Sequence, residues 1–150
     1  MLELLNNRPF DNERNILNAD LFVNNLKHTL RGFKFNTKIN YEVYRNITIY
    51  TITWNDDKTY EDILELKKEI AVSLGINTID LHIEEITDQQ VRIKVLNMKQ
   101  STLTLRELLE EAKDNKNIPI GLDDEDNVIY FDIDKDKNIL TAGVTGIGKT

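Results

Sequence analysis

The chain contains no cysteine. That excludes disulfides, thiolate metal sites and a cysteine nucleophile, and it fits a reducing compartment. Histidine is nearly as scarce: His28 and His82 are the only two. They lie far apart with no metal-ligand spacing between them, so both read as structural side chains. No apolar run approaches the roughly 18 residues of a membrane span. The start, Met1-Leu-Glu-Leu-Leu-Asn-Asn-Arg-Pro-Phe10, is too short and polar for a secretory signal. The expected location is the cytoplasm. No repeat or low-complexity tract is present.

What the chain has is the composition of a folded globular protein, 40% apolar and 30% charged over 150 residues. That length carries one ordinary domain with a real core. The net charge is −7 and is unevenly spread. Residues 1–50 hold seven Lys and Arg against five Asp and Glu, so residues 51–150 carry −9. Such a surface repels a nucleic-acid backbone, and any DNA contact must come from a local basic patch or from other sequence.

The apolar pattern divides the chain into short elements. Residues 1–20 are rich in Asn and lack periodicity, which predicts an arm or marginal helix. Asp20 is placed to cap a short helix ending at Gly32. From Ile39 to Trp54 β-branched and aromatic residues predict one or two strands, with the break near Arg45-Asn46. Thr59 and Asp62 form a near capping box for a helix carrying Ile63, Leu66, Ile70 and Leu74, closed by Gly75. Two alternating runs, Ile79–Ile83 and Val91–Val95, predict a hairpin with one covered face. Thr104 and Glu107 form a second capping box, and Pro119 follows after that helix has stopped. Ile118–Leu122 and Val128–Ile133 read as short strands around the acidic turn Asp123-Asp-Glu-Asp126. Asn138–Ala142 reads as a buried strand.

This order lacks regular βαβ alternation and predicts a small α+β domain. The last strand belongs to a second domain of parallel α/β type. The expected boundaries are an N-terminal arm and helix over 1–38, the small domain over 39–116, and the start of the second domain over 117–150.

The final eight residues, Gly143-Val144-Thr145-Gly146-Ile147-Gly148-Lys149-Thr150, fit Gly-x-x-x-x-Gly-Lys-[Ser/Thr] in full. Each position has a physical task. Gly143 leaves the preceding strand without obstruction. Gly146 and Gly148 permit backbone angles and a close approach that a Cβ would block. The N–H groups of residues 145–150 form a nest for phosphate oxygens at a helix N-terminus. Lys149 is the expected catalytic residue, reaching the β- and γ-phosphates, and the Thr150 hydroxyl is the expected Mg²⁺ ligand. ATP or GTP with Mg²⁺ is therefore the expected ligand. A helix follows such a loop, so the chain is expected to continue past Thr150, and these residues alone are not expected to hydrolyse ATP.

The loop alone does not choose between kinase, GTPase, helicase and translocase. Its setting does more. Leu103-Thr-Leu-Arg-Glu-Leu-Leu109, Ile118-Pro-Ile-Gly-Leu-Asp123, Asp132 and Asn138-Ile-Leu-Thr-Ala-Gly-Val-Thr-Gly-Ile-Gly-Lys-Thr150 follow one another at characteristic distances. Together they resemble the segment that leads into the motor of the FtsK/SpoIIIE family of DNA translocases. The resemblance runs from about Ile47 to Thr150. Asn138 stands where the family often has His, and Ile147 where it usually has Ser. The first 40 residues match no recognisable part of the family. These departures point to a mobile-element or otherwise divergent member. The resemblance implies a small α+β domain followed by the first strands and P-loop of a RecA-like ATPase. It implies ATP and Mg²⁺ as cofactors, a homo-hexameric ring, and double-stranded DNA as a partner held by regions outside these residues. Two other readings stay open: a P-loop ATPase of a protein-secretion system, and a regulatory or oligomerisation module attached to a motor.

Overall fold

The computed structural model describes residues 13–113 and 117–135, together with Asn138, Leu140 and Ala142. They fall into two compact units, one reaching to Thr102 and the other starting at Leu103. The first is an α+β domain built on an antiparallel sheet.

Its first element is helix α1, Glu13–Gly32. The helix begins seven residues before the expected cap at Asp20. The Asn-rich stretch hides its amphipathic face, because one of the polar residues is itself buried. Asn15 is 2% exposed and its Nδ2 donates to the Lys99 carbonyl at 3.0 Å. With Asn15 inward, Ala19, Val23, Leu26 and Leu30 complete a helical stripe. The helix ends on a left-handed residue, but that residue is Lys34 (φ 65°) and not Gly32. Phe35 N–H donates to the Leu30 carbonyl and Lys34 N–H to that of Arg31, the paired bonds of a Schellman ending.

Strands β1 (Thr37–Val43) and β2 (Ile47–Trp54) follow, with the turn at residues 44–46 where expected. Thr59 caps α2 (Tyr60–Glu65) through the full capping box with Asp62. The single expected helix is broken at Leu66 (φ −86°, ψ 8°), and α3 runs Lys67–Leu74. Gly75 closes it at φ 66°, a conformation that suits a residue without Cβ. The hairpin is β3 (His82–Thr87) and β4 (Gln90–Leu96). Ile79 precedes β3 and is exposed, while Leu81 is fully buried.

The sheet order is β1-β2-β4-β3, antiparallel throughout. Cross-strand pairs such as Ile39↔Ile52, Ile52↔Val91 and Tyr50↔Ile93 set one face, which packs with α1 and with Ile70, Ala71 and Leu74 of α3 in one core. Phe35 meets the Trp54 ring edge-on at 6.1 Å, and the indole Nε1 donates to the Lys58 carbonyl at 2.8 Å. Tyr41 Oη donates to Asp20 at 2.7 Å, tying α1 to β1. That bond, and the carboxylate's charge, push the phenol's pKa up. At the opposite end Asn97 joins two loops: its Nδ2 donates to the Tyr44 carbonyl at 2.7 Å, and its Oδ1 accepts from Thr48 at 2.6 Å. Among the described residues no helix is long and apolar enough to cross a membrane.

Candidate functional site

The predicted phosphate-binding residues Gly143, Val144, Thr145, Gly146, Ile147, Gly148, Lys149 and Thr150 lie outside the described residues. The structure describes the chain that leads toward them. Thr104 opens α4 (Leu105–Glu111) with the predicted capping box: its backbone N–H donates to Glu107 at 2.8 Å, and the Glu107 N–H donates back to the Thr104 hydroxyl at 3.2 Å. Leu108 turns inward from this helix.

Strands β5 (Ile118–Leu122) and β6 (Val128–Phe131) form an antiparallel hairpin. The register shifts between Pro119 and Gly121, as suits a residue with no N–H to give the ladder. The acidic turn is organised by one side chain. Asp123 Oδ1 accepts from the backbone N–H of Glu125 and of Asn127, both at 2.9 Å. The turn passes through Asp126 at φ 58°. Tyr130 Oη accepts from the Lys113 N–H at 2.9 Å, linking the hairpin to the end of α4.

After β6 the chain turns on Asp132. Its carboxylate accepts from the Asp134 N–H at 3.0 Å and pairs with Lys135 Nζ at 3.0 Å. The Lys135 ammonium above all, with the backbone donors, holds this carboxyl below the usual carboxylate range against an opposing desolvation. The expected buried strand Asn138–Ala142 lies in part outside the described residues. The three of its residues that are described have no strand geometry, and Leu140 is 93% exposed. A parallel central strand is buried only when neighbours pair both its edges and helices cover both faces. Among the described residues nothing pairs with this segment.

A groove of about 890 Å³ lies beside the hairpin, lined by Glu110, Glu111, Lys113, Asp126, Asn127 and Tyr130 among others. Three carboxylates against one lysine repel a polyphosphate, so this groove is not where nucleotide phosphates sit. No cluster of His, Cys, Asp and Glu suited to a metal occurs among the described residues.

The order is therefore a capped helix, an acidic hairpin, an Asp-anchored turn and then the glycine-rich motif. No protein-family model matches the chain. Individual relatives do. It is 29% identical over 129 residues to the DNA translocase FtsK of Staphylococcus epidermidis, covering 83% of this chain. It is 26% identical to that of Bacillus cereus over an alignment of 159 positions that takes in 100% of this chain. With the FtsK of Campylobacter jejuni it shares 29% over 153 positions and 98% of its length. Over most of its length the chain is similar to FtsK DNA translocases.

The match to the Bacillus cereus protein covers the whole chain, including the first 40 residues that carried no recognisable resemblance. Helix α1 begins within that segment, and its apolar stripe lines the core. The chain spans only 16–19% of the length of these FtsK proteins.

Proposed function

We propose that the protein containing this chain is an ATP-driven double-stranded DNA translocase, and that the chain supplies a small α+β domain and the loop that grips the nucleotide. The observation that carries this reading is the complete Gly143–Thr150 motif in a chain that aligns with FtsK translocases over most of its length. In this reading residues 1–38, 39–116 and 117–150 are an N-terminal helix region, the small domain and the opening of a RecA-like ATPase. The full protein is a cytoplasmic homo-hexamer.

Each residue of the loop has a role that follows from its chemistry. The backbone N–H groups from Thr145 to Thr150 donate to phosphate oxygens, as a nest of successive amides does. The Lys149 ammonium neutralises charge on the β- and γ-phosphates. The Thr150 hydroxyl is a hard oxygen ligand suited to Mg²⁺. ATP supplies the phosphoanhydride whose cleavage powers movement. The acidic small domain does not hold DNA, since a surface of this sign repels phosphates. DNA is gripped by regions beyond these residues, and the small domain couples neighbouring subunits.

The test is Lys149→Ala in the full-length protein. Binding of a fluorescent ATP analogue and ATP hydrolysis both fall to background, with the circular dichroism spectrum unchanged. Unaltered hydrolysis in the variant would overturn the assignment of this loop.

A further inference from the structure

The two edges of the four-stranded sheet are built differently. Strand β3 shifts register between Glu85 and Thr87 and carries Glu84 and Glu85 side by side. A bulge and like charges both keep an edge from pairing with another chain. Strand β1 has neither. It pairs with β2 over all seven residues without a shift, from Thr37↔Trp54 to Val43↔Thr48. Among the described residues, its other side has no strand neighbour.

Lys38, Asn40 and Glu42 are exposed and alternate on the face of β1 away from the core. Across the ladder to β2 they stand opposite Thr53, Thr51 and Ile49, so neither charge meets its opposite within the sheet. Glu42 accepts a long 3.3 Å bond from Tyr44 Oη, just past the end of the strand. The segment Lys38-Ile-Asn-Tyr-Glu42 is thus antisymmetric in charge about Asn40.

Set antiparallel to a second copy of itself, with Asn40 opposite Asn40, β1 places Lys38 opposite Glu42 of the other copy, and does so twice. A slip of two residues either way loses both ion pairs. A slip of four sets Lys38 against Lys38 or Glu42 against Glu42. A slip of one turns the core-facing residues Ile39 and Tyr41 to the wrong face. The register is therefore specified by charge and by the pleat together.

We infer that the β1 edge is a self-recognition surface on which a second copy of this chain docks about a two-fold axis, joining two four-stranded sheets into one of eight. Main-chain hydrogen bonds along a seven-residue edge provide the attraction, and the crossed Lys38–Glu42 pairs provide the register. The contact is isologous and closes with two copies. It is separate from the contacts between neighbours within the proposed ring, and it does not depend on the motor reading.

Sedimentation velocity of the 150-residue chain over about 10–500 µM tests it. The parent chain is a reversible dimer, weakened by salt. Lys38→Glu and Glu42→Lys each weaken association roughly tenfold or more, because two attractive pairs become two repulsive ones. An equimolar mixture of the two variants associates again, since one then presents only carboxylates on this edge and the other only ammonium groups. The double variant K38E/E42K dimerises like the parent, because reversing both charges keeps the antisymmetry. Both side chains are exposed, so the variants keep the fold, checked by circular dichroism. A parent chain that stays monomeric throughout, or a dimer indifferent to the single reversals, or a mixture that fails to associate, overturns the proposal.

Discussion

The two units are held together in different ways. Nineteen of the twenty buried apolar side chains among the described residues precede Leu103, and Leu108 is the one that follows. The first unit has a continuous core in which Leu26, Leu30, Ile52, Ile63, Ile70, Leu81, Val91 and Ile93 are fully buried. The second relies on short-range polar bonds: the Thr104–Glu107 box, the Asp123 turn and the Lys113–Tyr130 link. Its apolar side chains Ile118, Ile120, Ile133 and Leu140 remain exposed. The contrast teaches that a local backbone can be well specified without a core beneath it.

The contrast can be broken most sharply by core truncation. Ile52→Ala is expected to destabilise the first unit by about 2–5 kcal/mol, from lost burial and the cavity left behind. Urea denaturation followed by fluorescence of Trp54, the single tryptophan, reads that unit directly. Leu108→Ala is expected to leave the Trp54 midpoint in place. Equal shifts for the two variants would show one shared core and end the comparison.

The two capping boxes allow a finer test, because the same motif serves both units. Thr59→Ala is expected to cost about 1 kcal/mol in the Trp54-detected transition, and Thr104→Ala to leave that transition unmoved. The first box also has a pH signature. The Thr59 backbone N–H, more than its hydroxyl or Lys58, holds the Asp62 carboxyl below the usual range against an opposing desolvation. A depressed folded pKa gives stability that is present above the unfolded value and lost as pH falls through the folded one. The first unit therefore weakens as pH drops below about 4, and Asp62→Asn flattens that part of the profile. An unchanged profile in the variant would remove Asp62 from the account.

The smallest effect is expected at Lys34, whose side chain sits on a left-handed backbone. Lys34→Gly relieves that conformation and raises the stability of the first unit by up to about 1 kcal/mol. A loss of stability would mean that packing of the lysine stem outweighs the backbone term.

Much of this is legible in the sequence. Thr59, Gly75 and Thr104 announce their caps because each acts within one turn of chain. The hairpins were readable because alternation and turn residues are local. The start of α1 was not, since Asn15 belongs to the helix face only through a bond to Lys99, 84 residues away. The break at Leu66 hid inside an unbroken apolar period, and the exposure of Ile79 depends on where β3 begins. The strand expected at 138–142 rests on an apolar segment that leads into the glycine-rich motif, and a local pattern of that kind does not say which neighbours pair with it. The candidate site is the reverse case. Gly143–Thr150 is legible as chemistry because glycines, a lysine and a threonine at fixed spacing have so few other uses, while its geometry lies outside the described residues.

The measurement that bears most directly on the central claim is the ATP hydrolysis rate of the full-length protein with and without double-stranded DNA. The account predicts that DNA raises the rate and that Lys149→Ala abolishes both the basal and the stimulated activity. A rate indifferent to DNA, in a protein whose hydrolysis still requires Lys149, would keep the nucleotide site and contradict the translocase.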